Sequence, residues 1–287
     1  KLMKDWINLL RCRCGGVIKI EKQDFICLNC GKKFGTADDS YFNYAEADKS
    51  TDKMSNNADS LIAKIKYFFK RYPKLFYFLA YIFGGRQVNT TAQKFVDNLG
   101  KDLVIVNLGS GTKSLRKDVI NVDFFPFPTV DVVAKAEELP FKDNIIDSIV
   151  CDNVLEHIKK PEAVVTEIRR VLKPGGMVYM GVPFIIQYHS SPNDFHRWPA
   201  EGVKELMSDF EELELKIACG PTSAMTTIFA EWLAIALSFN LKFLYNTFLI
   251  FFTIVFTPLK WLDYIFSRYK TAVNIAYGFY FIGKKSR

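Results

Sequence analysis

Leu103-Val-Ile-Val-Asn-Leu-Gly-Ser-Gly111 carries a β-branched, apolar run directly into a Gly-x-Gly turn. Such a run fits a strand buried on both faces of a parallel sheet, and the turn fits the point where that strand meets a ligand. Gly109 and Gly111 lack a Cβ, so the backbone there can bend sharply and approach a bound molecule. Ser114 stands where the third glycine of a dinucleotide fingerprint would fall, which argues against pyrophosphate binding. Working outward, residues 119–123 read as a second strand ending in Asp123, where a carboxylate can accept from both hydroxyls of a ribose. Residues 130–134, 145–153 and 177–182 read as the third, fourth and fifth strands. A helix is expected over 161–172, with Val164, Ile168, Val171 and Leu172 at helical spacing, and Lys173-Pro-Gly-Gly176 stops it. Helices are also expected over 87–99 and 200–210, with a sixth strand at 211–219 and a further, alternating strand at 273–283. Strands alternating with helices imply a doubly wound α/β sheet.

Taken in order, residues 104–111, Val122-Asp123, Glu138-Leu-Pro-Phe141, Val154-Leu-Glu-His157 and Arg170-Val-Leu-Lys-Pro-Gly-Gly176 resemble the class I S-adenosyl-L-methionine-dependent methyltransferases of type 11. The resemblance implies a Rossmann-like, seven-stranded, doubly wound sheet over 87–287, with S-adenosyl-L-methionine as cofactor. By position it places Gly109, Ser110 and Gly111 along the methionine moiety and Asp123 at the ribose. Ala136 and Glu137 then fall near adenine and Asn153 near the sulfonium. Asn107 and Lys135 stand where the family commonly carries acids, Asn107 at the end of the first strand and Lys135 before Ala136. Asn107 is kept as a cofactor contact, and His157 is expected behind the site rather than in it.

Upstream, Cys12-Arg-Cys14-Gly-Gly and Cys27-Leu-Asn-Cys30-Gly flank a short hairpin and resemble a zinc ribbon over 1–35. Tetrahedral zinc needs four converging soft ligands, and a Cys-Gly knuckle aims two thiolates at one ion. Cys12, Cys14, Cys27 and Cys30 are the expected ligands of a structural Zn²⁺, with four filled positions and none open for catalysis. The first knuckle has one residue between its cysteines where two are usual.

The sequence carries 38 basic against 31 acidic residues, a net charge of +7, which suits nucleic acid or anionic lipid as a partner and does not choose between them. Clustered thiols point to a reduced compartment, and no secretory signal is visible, so a cytoplasmic protein is expected. Residues 36–60 are polar and acid-rich and read as a flexible linker. Residues 61–86 then form a basic amphipathic segment. Leu61, Ile65, Phe68 and Tyr72 fall on one face among lysines, followed by an aromatic-rich apolar run, the composition of a membrane-interface helix or of a helix packed on the sheet.

The loop after the fifth strand contains His189, Asp194, His196 and Arg197 and leaves the ligand-binding edge of the sheet. His189, Asp194 and His196 are candidate bases for removing an acceptor proton, and Arg197 a candidate holder of an anionic acceptor, unless Asp194 and Arg197 pin the loop to each other. The His…Asp-x-His-Arg-Trp pattern resembles methyltransferases of surface-glycan synthesis. An apolar helical insertion, 221–271, separates strands six and seven, with candidate helices over 228–241 and 243–257. Because it leaves one strand end and returns beside it, an odd number of membrane crossings is excluded. A hairpin dipping into the cytoplasmic leaflet and a soluble lid remain. Three functions follow: methyl transfer to a small-molecule or lipid-linked glycan acceptor on the inner face of the membrane, RNA methylation, or a non-catalytic protein that keeps the fold.

Overall fold

A computed structural model describes residues 6–36, 41–45, 79, 82–189 and 193–286. The basic segment expected over 61–72 lies outside the described residues. Three short strands, β1 (Ile18–Glu21), β2 (Asp24–Cys27) and β3 (Lys33–Thr36), form an antiparallel ribbon sheet. The main sheet contains β4 (Phe42–Asn43), β5 (Ile105–Leu108), β6 (Ile120–Asp123), β7 (Val132–Val133), β8 (Ile146–Asp152), β9 (Leu172–Pro183), β10 (Phe210–Cys219) and β11 (Gly278–Lys285). Its order is β10-β11-β9-β8-β5-β6-β7-β4, and β11 alone runs antiparallel to its neighbours. This is a doubly wound, Rossmann-like α/β fold. Every residue of β5 is buried, Asn107 included, as a strand covered on both faces requires. The strand order reverses between β5 and β8, the position at which such sheets bind ligands.

Among the described residues the main sheet has eight strands, one more than the seven expected. Phe42–Asn43, from the stretch read as a linker, pairs in parallel with Val132–Val133. Phe42 and Tyr44 are buried against Phe25 and Phe34, with ring centroids 5.4 Å apart for Phe25–Phe42 and 5.0 Å for Phe34–Phe42. That aromatic cluster joins the ribbon to the main sheet in one continuous core. The ribbon is fastened further by backbone bonds from Arg11 N to Pro140 O (2.8 Å) and Lys142 N to Leu9 O (2.9 Å), and by a two-point Arg13–Glu138 pair.

Helix α1 (Ala92–Asp97) is shorter than the 87–99 expected. Thr91 caps it by accepting from Lys94 N, while Gln87 and Val88 are diverted into pairing with the end of β10. Helix α2 (Pro161–Val171) has Pro at its first turn and buries Val164, Ile168 and Val171 as the spacing predicts. Residues 173–176, expected as a stop before the fifth strand, belong to the long strand β9. Helix α3 (Ala200–Leu206) precedes β10.

The insertion folds as two helices, α4 (Pro221–Leu237) and α5 (Lys242–Phe256), followed by short helical turns to Ile275. Both of its ends lie at one edge of the sheet, since Cys219 pairs with Gly278, and Gly278 with Pro183 at the carboxyl end of β9. Asp263, fully buried, accepts from Thr222 N (2.6 Å) and Ser223 N (2.9 Å), so the returning chain caps the start of α4.

Candidate active site

A cavity of about 430 Å³ opens at the carboxyl edge of the parallel strands, within the size range of small-molecule sites. Leu108, Gly109 and Gly111 line it from the turn after β5, and Asp123, Phe124, Phe125 and Phe127 from the turn after β6. Ala134, Lys135, Ala136 and Glu137 follow β7, and Asn153, Val154, His157 and Ile158 follow β8. Four successive strand ends therefore contribute to one pocket.

Gly109 has φ +68° and Gly111 φ +55°, both left-handed. A Cβ at Gly109 would strike Val154, whereas a Cβ at Gly111 would meet nothing within 4 Å. Gly111 thus has free space beside it in the cavity wall, a cradle that suits a bound group passing close to the backbone. The Asp123 carboxylate is fixed by Gly111 N to Oδ2 (2.8 Å) and Phe125 N to Oδ1 (2.9 Å). A carboxylate accepts at both oxygens, which is the chemistry a ribose diol requires. Asn153, also left-handed at φ 55°, turns the chain out of β8 while its amide donates to Asp152 Oδ1 (2.9 Å). Burial raises the Asp152 carboxyl to about 6; the nearby Lys113 charge lowers it and Glu156 raises it further. The residues present fit S-adenosyl-L-methionine: glycines where the chain must approach, an acid at the ribose position, aromatic and apolar walls.

Of the expected cofactor contacts, Gly109, Gly111, Asp123, Ala136, Glu137 and Asn153 line the cavity, and Asn107 and Ser110 do not. Asn107 is corrected to a brace: it is buried, and its amide donates to Lys113 O (3.1 Å) and Asn121 Oδ1 (3.2 Å), holding the turn from within. Ser110 is buried in the turn between the two lining glycines. Two groups of lining residues were missed. Phe124, Phe125 and Phe127 were read only as a turn, although an aromatic run directly after the acid was the available signal. His157, placed behind the site by the sequence reading, lines the cavity itself.

The residues of the 184–199 loop converge on one another rather than on the cavity wall. Asp194 accepts from His189 N (2.8 Å) and holds Arg197 through both oxygens. Arg197 also donates to His196 O (2.7 Å) and Gln187 O (3.1 Å), so its terminal nitrogens are engaged within the loop. This corrects Arg197 from a holder of an anionic acceptor to a brace of the loop, with Asp194 as its counter-ion. Burial pushes the Asp194 carboxyl up, but the Arg197 hydrogen bonds and the His189 N–H outweigh it and the net shift is downward. His196 packs against Trp198 with centroids 5.4 Å apart. His189 turns toward Glu156 and His157, its ring edge-on to His157 at 5.1 Å.

The four ribbon cysteines come together in spite of the short first knuckle. Cys12 Sγ lies 3.7 Å from Cys30 Sγ, and Cys14 Sγ 3.5 Å from Cys27 Sγ, all four within 4.8 Å of one another. Sulfurs bound tetrahedrally at about 2.3 Å stand about 3.8 Å apart, so the cluster is compatible with a single zinc ion. Gly15 (φ +81°) and Gly31 (φ +70°) supply the left-handed knuckle positions. The Gly16 N–H lowers the Cys14 thiol to about 6, and burial raises that of Cys12 to about 12.

Residues 87–180 match the methyltransferase domain family. An uncharacterised protein of Methanocaldococcus jannaschii is 41% identical over 51 residues, 18% of this chain and 25% of that protein. An uncharacterised methyltransferase of Mycobacterium tuberculosis is 42% identical over 53 residues, 18% of this chain and 21% of that one. The matched stretches thus span a quarter or less of either relative. Among solved structures, phosphoethanolamine N-methyltransferase 2 of Haemonchus contortus, in complex with S-adenosyl-L-methionine, aligns at TM-score 0.41 and 18% identity, covering 68% of this chain and 51% of that one.

Proposed function

We propose, from a chain whose residues 87–180 belong to the class I S-adenosyl-L-methionine-dependent methyltransferases, that it transfers a methyl group to a membrane-proximal acceptor, a glycan or lipid-linked sugar. The observation that carries the transfer is the cavity itself, at the reversal of strand order, with Gly111 leaving open space and Asp123 fixed beside it. When bound, the cofactor supplies an activated methyl on a sulfonium. The chain's own part is to orient it, Asp123 at the ribose and Ala136 and Glu137 near adenine, and to hold the acceptor in line with the methyl carbon. Asn153 stands at the strand end nearest the transfer. His189 and His196 are the proposed acceptor-side groups, with Asp194 positioning His189.

The membrane side of the proposal rests on the insertion. Its tip presents Phe239 at 81% and Phe243 at 78% exposure, with Leu241 between them. Trp232, Ile235, Phe251 and Ile254 continue the exposed apolar surface along α4 and α5. Apolar surface of that extent costs free energy in water and suits a bilayer interface. The helical stretch Lys242–Phe266 passes the length and hydropathy of a membrane span, but α5 itself covers only about 22 Å at 1.5 Å per residue. With both ends of the insertion at one sheet edge, a hairpin resting in a single leaflet fits better than one crossing. A cytoplasmic, membrane-peripheral protein follows. The ribbon is proposed to hold one structural zinc.

Calorimetric titration with S-adenosyl-L-methionine tests the first step: binding is expected, weakened by Asp123→Ala, and no heat at high micromolar cofactor would refute it. Mass spectrometry of lipid and glycan fractions with and without the gene tests the acceptor, the expected result being a difference of one methyl group. For the membrane, sedimentation with anionic vesicles should lose the protein from the pellet when residues 228–257 are deleted, and an unchanged distribution defeats the hairpin reading.

A further inference from the structure

Glu156 sits in the 3-10 turn Leu155–His157 after β8, is 0% exposed, and neither carboxylate oxygen has a hydrogen-bond partner among the described residues. A buried carboxylate without donors costs several kcal/mol unless something of opposite charge faces it. Nearest to it are two imidazoles, with the Arg197 charge, already engaged by Asp194, acting on it from farther away. His157 Nε2 is 3.8 Å and His189 Nε2 3.7 Å from Glu156 Oε1, too far for hydrogen bonds, and the three ligand atoms lie within 4.8 Å of one another.

The far side of each ring says which nitrogen carries the proton. His157 Nδ1 lies 2.5 Å from the Asn193 carbonyl oxygen, which can only accept, so Nδ1 is the donor. His189 Nδ1 makes no hydrogen bond among the described residues but faces Asp194 Oδ2 at 3.5 Å, whose charge favours the proton on Nδ1, and Asp194 is itself held by Arg197. In the neutral rings both Nε2 lone pairs then point at a carboxylate that also offers only lone pairs. Three acceptors converge with no donor among them. This is the arrangement a metal ion resolves, with a hydrogen bond to the Asn193 carbonyl fixing the His157 imidazole and the Asp194 carboxylate facing the far side of the His189 imidazole. Ligands bound tetrahedrally at about 2.0–2.2 Å stand about 3.3–3.6 Å apart, close to the separations seen here.

We propose that Glu156, His157 and His189 form a binding site for one divalent transition-metal ion, distinct from the cysteine cluster and bordering the cofactor cavity through His157. Two imidazoles and one carboxylate leave coordination positions open, as in catalytic rather than structural sites. Resting on the methyl-transfer reading above, the open position takes an oxygen of the acceptor. The bound hydroxyl is acidified and releases its proton to water. Its oxygen pair then forms the bond to the methyl carbon as the carbon–sulfur bond breaks and leaves its pair on sulfur. Asp194 and Arg197 are positioning residues in this arrangement, acting on the metal through His189.

Cobalt(II) titration of the metal-free full chain, followed by absorbance and elemental analysis, separates the two sites. A thiolate-to-cobalt charge-transfer band marks the cysteine cluster; binding without that band marks the histidine–carboxylate site. Wild type is expected to take up two equivalents, one of each kind. Glu156→Gln and His189→Ala should each weaken the thiolate-free equivalent at least about tenfold while keeping the thiolate band, which also reports that the chain is folded. Cys27→Ser should do the reverse. Uptake of a single equivalent by wild type, or a thiolate-free equivalent that survives both variants, overturns the proposal. Because the readout is metal uptake, it stands whether or not methyl transfer is found.

Discussion

Gly109→Ala isolates two separate costs at the turn after β5. The first is conformational: Gly109 has φ +68°, and a residue with a Cβ there costs about 1–2 kcal/mol. The second is steric: the new methyl collides with Cγ2 of Val154 and approaches its Cγ1 to 3.1 Å, an overpacking of the kind that costs about 1–3 kcal/mol. The expected loss of stability is therefore about 2–5 kcal/mol. Val154→Ala removes both γ carbons and costs about 1 kcal/mol alone, since Val154 is only half-buried. In the double variant the collision with the γ carbons disappears, a 3.2 Å approach to Cβ of residue 154 remains, and the conformational part stays. The pair should then be non-additive by about 1–3 kcal/mol, measured as a double-mutant cycle by urea unfolding. Gly111→Ala is the internal control, with a similar φ of +55° and nothing near its Cβ; it should lose only the conformational part in stability but bind S-adenosyl-L-methionine more weakly. Additive behaviour of Gly109→Ala and Val154→Ala would refute the steric argument.

Cys27→Ser should lose the zinc proposed for the ribbon and lower the melting temperature, checked by elemental analysis and calorimetry; unchanged metal content would count against the cysteine cluster as a site. Phe42→Ala removes the side chain that joins ribbon and sheet, fully buried between Phe25, Phe34 and Tyr44, and should cost about 3–5 kcal/mol in urea unfolding. Asp152 has its carboxyl raised to about 6, above the ordinary unfolded value of about 3.9. The folded state therefore binds its proton more tightly, and this contribution to stability is fully present below about 4 and is lost as the pH rises through about 6. Asp152→Asn should flatten the stability profile in that window, measured by unfolding at a series of pH values; an unchanged profile would place the titration elsewhere.

The parallel strands were legible because burial on both faces favours apolar, β-branched runs, which β5, β6 and β8 carry around single buried polar residues such as Asn107, Asn121 and Ser148. The Gly-x-Gly turn was legible because left-handed backbone demands glycine, and both glycines are left-handed. Strand β4 was not. Two residues in an acid-rich stretch give no periodicity, and the one available sign was the alternation of Phe42 with Tyr44, which face the same aromatic cluster. The length of α1 was misjudged for a related reason. Its apolar pattern extends upstream, but Thr91 offers a cap and Gln87 and Val88 find partners on β10, so backbone pairing overrides the helical spacing.

The acceptor side was legible in residue type and not in role. His189, Asp194, His196 and Arg197 look alike in the sequence as polar groups on a ligand-facing loop. Which of them is spent inside the loop depends on the fold of that loop. Arg197 is consumed by two backbone carbonyls and Asp194, and Asp194 in turn by Arg197 and His189 N. Once that pair is closed, His189 faces Asp194 on one side of its ring and Glu156 with His157 on the other. Glu156 and His157 are consecutive residues and would diverge in a strand. The 3-10 turn after β8 lets both approach the same imidazole. The chemistry of this edge therefore belongs to the turn and the loop together: neither segment alone contains three converging ligand atoms. An exchange that straightened the turn would disperse the site without touching His189.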